Sequence, residues 1–94
     1  MTRDAAFYFA NLGADVARCA NAARHDDISR YDNALARAYR TLERLHTAAR
    51  PEAYEEGLLM LRGLALARAT PERLASFQSA LDSIISPFSA SLGV

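Results

Sequence analysis

The chain has 94 residues, 51% of them hydrophobic and 23% charged, with eleven basic residues balanced by eleven acidic ones. That length gives one domain, the apolar fraction is too high for a disordered chain, and zero formal charge leaves no overall attraction to nucleic acid or anionic lipid. Cys19 is the only cysteine, which excludes an internal disulfide and a small disulfide-stapled secreted domain.

The amino-terminal MTRDAAFYFANLGAD carries Asp4 and Asn11 within its apolar run, the wrong chemistry for a secretory signal, so a cytoplasmic location is expected. From about residue 4 to residue 24, Ala5, Phe9, Leu12, Val16, Cys19 and Ala23 recur at alternating steps of four and three, as one face of a helix requires. Gly13 interrupts this helix at a cost of up to about 1 kcal/mol relative to alanine, as either a close contact point or a tolerated lapse. His25-Asp26-Asp27 breaks the pattern, and either aspartate is suited to cap the next helix.

The second helix is expected over about residues 27–49, with Ile28, Tyr31, Leu35, Ala38, Leu42, Leu45 and Ala49 on its inner face. Arg50-Pro51 closes it, because the residue before a proline is disfavoured in helical geometry, and Pro51 suits the opening of the next helix. Glu52, Glu55 and Glu56 then place negative charge near that helix's amino-terminal end, and Tyr54, Leu58, Leu61 and Ala65 form a stripe over about residues 52–69. Thr70-Pro71-Glu72 reads as a cap, a first-turn proline and a first-turn acid. Leu74, Phe77, Leu81 and Ile84 continue over about residues 71–86, with Pro87 expected to end or kink the helix and residues 87–94 left as a tail. Four amphipathic helices joined by short connections make an all-α, up-down-up-down four-helix bundle.

GLLMLRGLALARA, residues 57–69, holds more apolar surface than one bundle-facing stripe needs. Arg62 and the short length rule out a membrane span, which takes about 20 apolar residues. Gly57, Met60, Leu64 and Ala67 form a second stripe, and Leu59 and Leu66 lie beside it. On the first helix, Phe7, Ala10, Ala14 and Ala17 lie away from the core face. An exposed patch of this size predicts a homodimer, with Phe7, Ala10, Ala14, Leu59, Met60, Leu64 and Leu66 as interface candidates. The alternative is that the bundle buries the third helix at its centre.

Candidate chemistry is sparse. Glu43 and His46 match the Glu-x-x-His pair that di-iron bundles aim inward, but Leu42 and Leu45 occupy the core positions and no second pair exists. No metal and no cofactor are therefore expected. Arg40 and His46, in RTLERLH, resemble the Arg-x(4–6)-His motif of HEPN-domain proteins, small helical bundles whose dimers cleave RNA or bind nucleotides. The resemblance covers two residues and a compatible helical outline, and Thr41 stands where the family usually has Asn, Asp or His. It implies an acid–base role for His46 and phosphate binding by Arg40.

Asp32, Tyr39, Glu43, His46 and Arg50 form a polar stripe in which Tyr39, Glu43 and His46 are candidates for binding a small ligand, against the plainer reading of a rim hydrogen-bond network. Arg30, Arg37, Arg40 and Arg44, with Asn33, make a basic ridge about 20 Å long. Asp26 and Glu43 are spaced to pair with part of it, and no aromatic residue is interleaved, so nucleic-acid binding is expected to be weak or absent. Cys19, on the core face, reads as an inert thiol. The leading expectation is an interaction or accessory module, homodimeric and without catalysis of its own, with an additional protein partner possible.

Overall fold

The computed structural model describes residues 5–48 and 50–93, with side chains described through Leu81 and at Ser83. It is an all-α bundle of four helices in chain order: α1 (Ala5–Arg24), α2 (Ile28–Thr47), α3 (Pro51–Ala67) and α4 (Pro71–Gly93). Each connection is short, so successive helices run antiparallel. α1 packs against all three others, most extensively against α2, whereas α2 and α4 do not touch among the described residues. The order around the bundle is therefore α1, α2, α3, α4, with α1 and α3 meeting across its short diagonal.

The connections follow from local chemistry. At the end of α1, Asp27 N–H donates to the Ala22 carbonyl at 2.9 Å and Asp26 N–H to the Ala23 carbonyl at 3.2 Å. These are the two bonds of a Schellman motif, with Asp26 at φ 55° in the position that glycine usually takes. The next residue starts α2: the Asp27 carboxylate accepts from Arg30 N–H at 3.1 Å. Asp27 is thus the cap, and it pairs Arg30 through Oδ2 at 3.3 Å in place of the expected Asp26–Arg30 pair. Pro51 opens α3, where Arg50 Nε donates to Glu52 Oε1 at 2.6 Å and holds that carboxyl below its usual range. Thr70 caps α4 by accepting from Arg73 N–H at 3.3 Å.

One hydrophobic cluster fills the interior, built on Phe9, Leu12, Val16 and Cys19 from α1, Tyr31, Ala38, Leu42 and Leu45 from α2, Met60 and Leu64 from α3, and Leu74 and Leu81 from α4. Each fully buried large side chain contributes about 1.5–3 kcal/mol relative to exposure.

The expected stripes hold for α1 and for most of α2. Ile28, the first residue of α2, is the exception, at 65% exposure. α3 is corrected more deeply. Its inner stripe is Ala53, Gly57, Met60, Leu64 and Ala67; of the expected stripe, Leu61 is buried beside it and Tyr54 and Leu58 are partly buried against the core, while Ala65 faces outward. Gly57 explains the rotation. A methyl group there would stand 2.6 Å from Leu12 Cδ2 and 3.0 Å from Leu42 Cδ1, so the bare backbone of α3 is the surface that nestles between α1 and α2.

α4 is corrected at its end, for it continues through Pro87 to Gly93 instead of stopping near residue 86. An interior proline forfeits one helix hydrogen bond, yet in the sequence the apolar spacing of Leu81, Ile85, Phe88 and Leu92 carries the helical period across it. The expected start at Asp4 and the side-chain placements of Ala49 and Ile84 lie outside the described residues.

Candidate functional site

The most built polar feature of the molecule is the groove between α1 and α2. Its floor is Asp15, a carboxylate on α1 with only 8% of its side chain exposed. A buried charge is costly unless paired, and two arginines meet it at Oδ1: Arg18 from the same helix at 2.9 Å and Arg37 from α2 at 3.4 Å. Arg18 and Arg37 remain 63% and 48% exposed, so each keeps donors turned to the groove.

Two hollows adjoin at this point. One, of about 310 Å³, is lined by Arg18, Asn21, Ala22, Arg30, Asn33, Ala34 and Arg37. The other, of about 340 Å³, is lined by Asn11, Asp15, Arg18, Arg37, Arg40, Thr41 and Arg44. A shallower depression of about 280 Å³, bounded by Arg40, Glu43, Arg44 and Thr47, extends them along α2. The basic ridge expected on α2 is therefore one bank of a trough whose other bank is α1. Its pairing with Glu43 is absent, and Arg40 and Arg44 carry no ion pair among the described residues.

Sequence reasoning missed the α1 bank of Asn11, Asp15, Arg18 and Asn21. A signal was present: these polar residues recur at steps of four, three and three, a polar strip beside the apolar stripe. What the sequence could not supply was the pairing of Asp15 with an arginine 22 positions away.

Arg40 and His46 are not brought together within the chain. Arg40 lines the α1–α2 groove, whereas the His46 ring packs against Tyr54 of α3 with centroids 4.6 Å apart. Their positions differ by about 120° around α2, and α2 stands between them. Tyr39, Glu43 and His46 are exposed along one face of α2, Glu43 beside Arg40 and Arg44 and His46 against Tyr54 of α3. Cys19 is fully buried, its thiol donating to the Tyr31 carbonyl at 3.8 Å. Burial first, and then the nearby Asp15 carboxylate, push it up to about 11, which leaves it a thiol at neutral pH.

The interface candidates divide. Met60 and Leu64 are 3% and 1% exposed within the single chain; they belong to the bundle's own core because α3 turns its Gly57 side inward. Leu59 and Leu66 remain 57% and 69% exposed on the opposite side of α3. Phe7 is 40% exposed, and Ala10 and Ala14 lie on the same outer face of α1. Since α1 and α3 are diagonal partners, their outer faces point away from each other, and one two-fold contact can use only one of them.

No described helix is long and apolar enough to cross a membrane. Among known proteins, no family model matches the chain, and neither a curated protein nor a solved structure shows significant similarity to it.

Proposed function

We propose that this chain is a cytoplasmic interaction module that pairs with a second copy of itself through the outer face of α3 and carries out no chemistry of its own. The observation that carries the reading is the exposure of Leu59 and Leu66, 57% and 69%, two turns apart on the side of α3 turned away from the core. Gly63 lies beside them, and with Leu66, Ala67 and Phe77 it borders a shallow, mostly apolar trough of about 490 Å³ against α4.

The face is also self-complementary. Glu55, Leu59, Arg62 and Leu66 follow at steps of four, three and four, so two antiparallel copies of α3 set Glu55 of each against Arg62 of the other, with Leu59 beside its own copy at the axis. The outer face of α1 offers less, because beyond Phe7 it consists of alanines that bury little area. The divergence of Arg40 from His46 and the burial of Cys19 favour a module without a catalytic centre, and a lone reduced cysteine fits the cytoplasm.

Sedimentation velocity tests the reading. The wild type should sediment as a dimer at micromolar concentration, and Leu59→Glu with Leu66→Glu should yield a monomer of unchanged helicity, since each leucine buried contributes about 1.5–3 kcal/mol. A wild type that remains monomeric up to hundreds of micromolar would sink it.

A further inference from the structure

We propose that the α1–α2 groove is a binding site for the sugar–phosphate backbone of double-stranded nucleic acid. The proposal does not depend on the pairing of α3.

Charge is the first argument. Although the chain as a whole is neutral, five arginines, Arg18, Arg30, Arg37, Arg40 and Arg44, converge on this trough and its extension along α2 against three carboxylates, Asp15, Asp27 and Glu43. The local surplus is therefore positive where the global balance is zero.

The second argument is order. Asp15 ties Arg18 and Arg37 from opposite banks to one oxygen, so the two guanidinium groups are held in place before any ligand arrives and less side-chain entropy is lost on binding. The remaining lining is rich in neutral donors, the amides of Asn11, Asn21 and Asn33 and the hydroxyl of Thr41. Guanidinium and amide donors together suit phosphate oxygens.

Dimensions and composition select the occupant. Arg30 to Arg44 span about 21 Å of α2 at 1.5 Å per residue, and Arg37, Arg40 and Arg44 rise along it at about 4.5 and 6 Å intervals, room for about three successive phosphates of one strand. No aromatic side chain lines either hollow, so nothing there stacks the unpaired bases of a single strand. A duplex keeps its bases inside and presents only the charged edge that such a trough can read, without sequence preference.

Fluorescence anisotropy with a labelled mixed-sequence duplex, titrated at several salt concentrations, tests this. Saturable binding at low salt is expected, weakening as salt rises with a log–log slope of about −3, the value for about three phosphates. Arg40→Glu with Arg44→Glu should lower affinity at least about tenfold and flatten the slope by about two; these two are chosen because Arg18 and Arg37 also hold Asp15. Arg40→Gln with Arg44→Gln should shift affinity in the same direction by less, with an unchanged thermal melt confirming the fold. The control is Arg24→Glu with Arg73→Glu, an equal change of net charge away from the groove, since Arg24 bonds Gln78 of α4 at 2.7 Å and Arg73 is itself on α4. It should leave affinity within about twofold beyond the general effect of added negative charge. Absence of binding at low salt, an equal loss in the control, or tighter binding of single strands or inorganic polyphosphate than of the duplex would each overturn the proposal.

Discussion

The guanidinium carbon of Arg68 stands 3.9 Å above the ring centroid of Tyr31. Arg68 follows the last turn of α3 and Tyr31 lies in the first turn of α2, so this contact fastens the antiparallel α2–α3 pair at one end of the bundle. Tyr31 is only 3% exposed, and burial raises its phenol above the usual range while Arg68 pulls it partly back. Arg68→Gln should cost about 0.5–2 kcal/mol in denaturant unfolding. It should also move the ultraviolet titration of Tyr31 still higher, a change that loss of packing alone would not produce.

Cys19 makes stability sensitive to alkali. Its folded-state value, about 11, lies above its ordinary 9.0, so the unfolded chain releases this proton first. The protection is complete below about pH 9, declines as pH rises through that window, and is lost above about pH 11, an effect on the order of 2–3 kcal/mol. Cys19→Ala should flatten that part of the stability–pH curve, even though the cavity it leaves lowers stability at pH 7. Native protein should resist alkylating reagents that label it in denaturant.

Two glycines of α3 predict opposite outcomes. At Gly57 a side chain meets Leu12 and Leu42 deep in the core, so Gly57→Val should destabilise by about 1–3 kcal/mol or more. At Gly63 a methyl group would approach Phe77 Cε1 at 2.8 Å, but that ring is only partly buried and can swing aside. Gly63→Ala should then gain up to about 1 kcal/mol from helix propensity. Chemical denaturation of the two variants checks the contrast.

Asp26 and Asp27 divide their work between two helices. A left-handed backbone costs a side-chain-bearing residue about 1–2 kcal/mol, so Asp26→Gly should stabilise by up to about 1 kcal/mol. Asp27→Ala removes the cap of α2 and should cost about 0.5–2 kcal/mol. A raised melting temperature for the first and a lowered one for the second are expected.

The fold was legible where local chemistry decides it. The alternating steps from Ala5 to Cys19 define a core face that the bundle uses, and Thr70-Pro71-Glu72 starts a helix because cap, fixed φ and acid agree. α3 was less legible, because apolar residues nearly encircle it and periodicity alone cannot say which side is inner. Gly57 decides that by close approach, a property of three helices at once. For the groove, α2 showed its arginines plainly, while Arg18 and Asp15 became meaningful only when α1 was laid alongside.

The three-residue link between α1 and α2 also has a kinetic consequence. These helices share the most extensive contact in the bundle yet are adjacent in sequence, so bringing them together closes a very short loop and sacrifices little chain entropy. Such a hairpin is the natural nucleus, with α3 and α4 docking afterwards. In stopped-flow experiments Leu45→Ala should slow refolding, whereas Leu74→Ala should chiefly hasten unfolding.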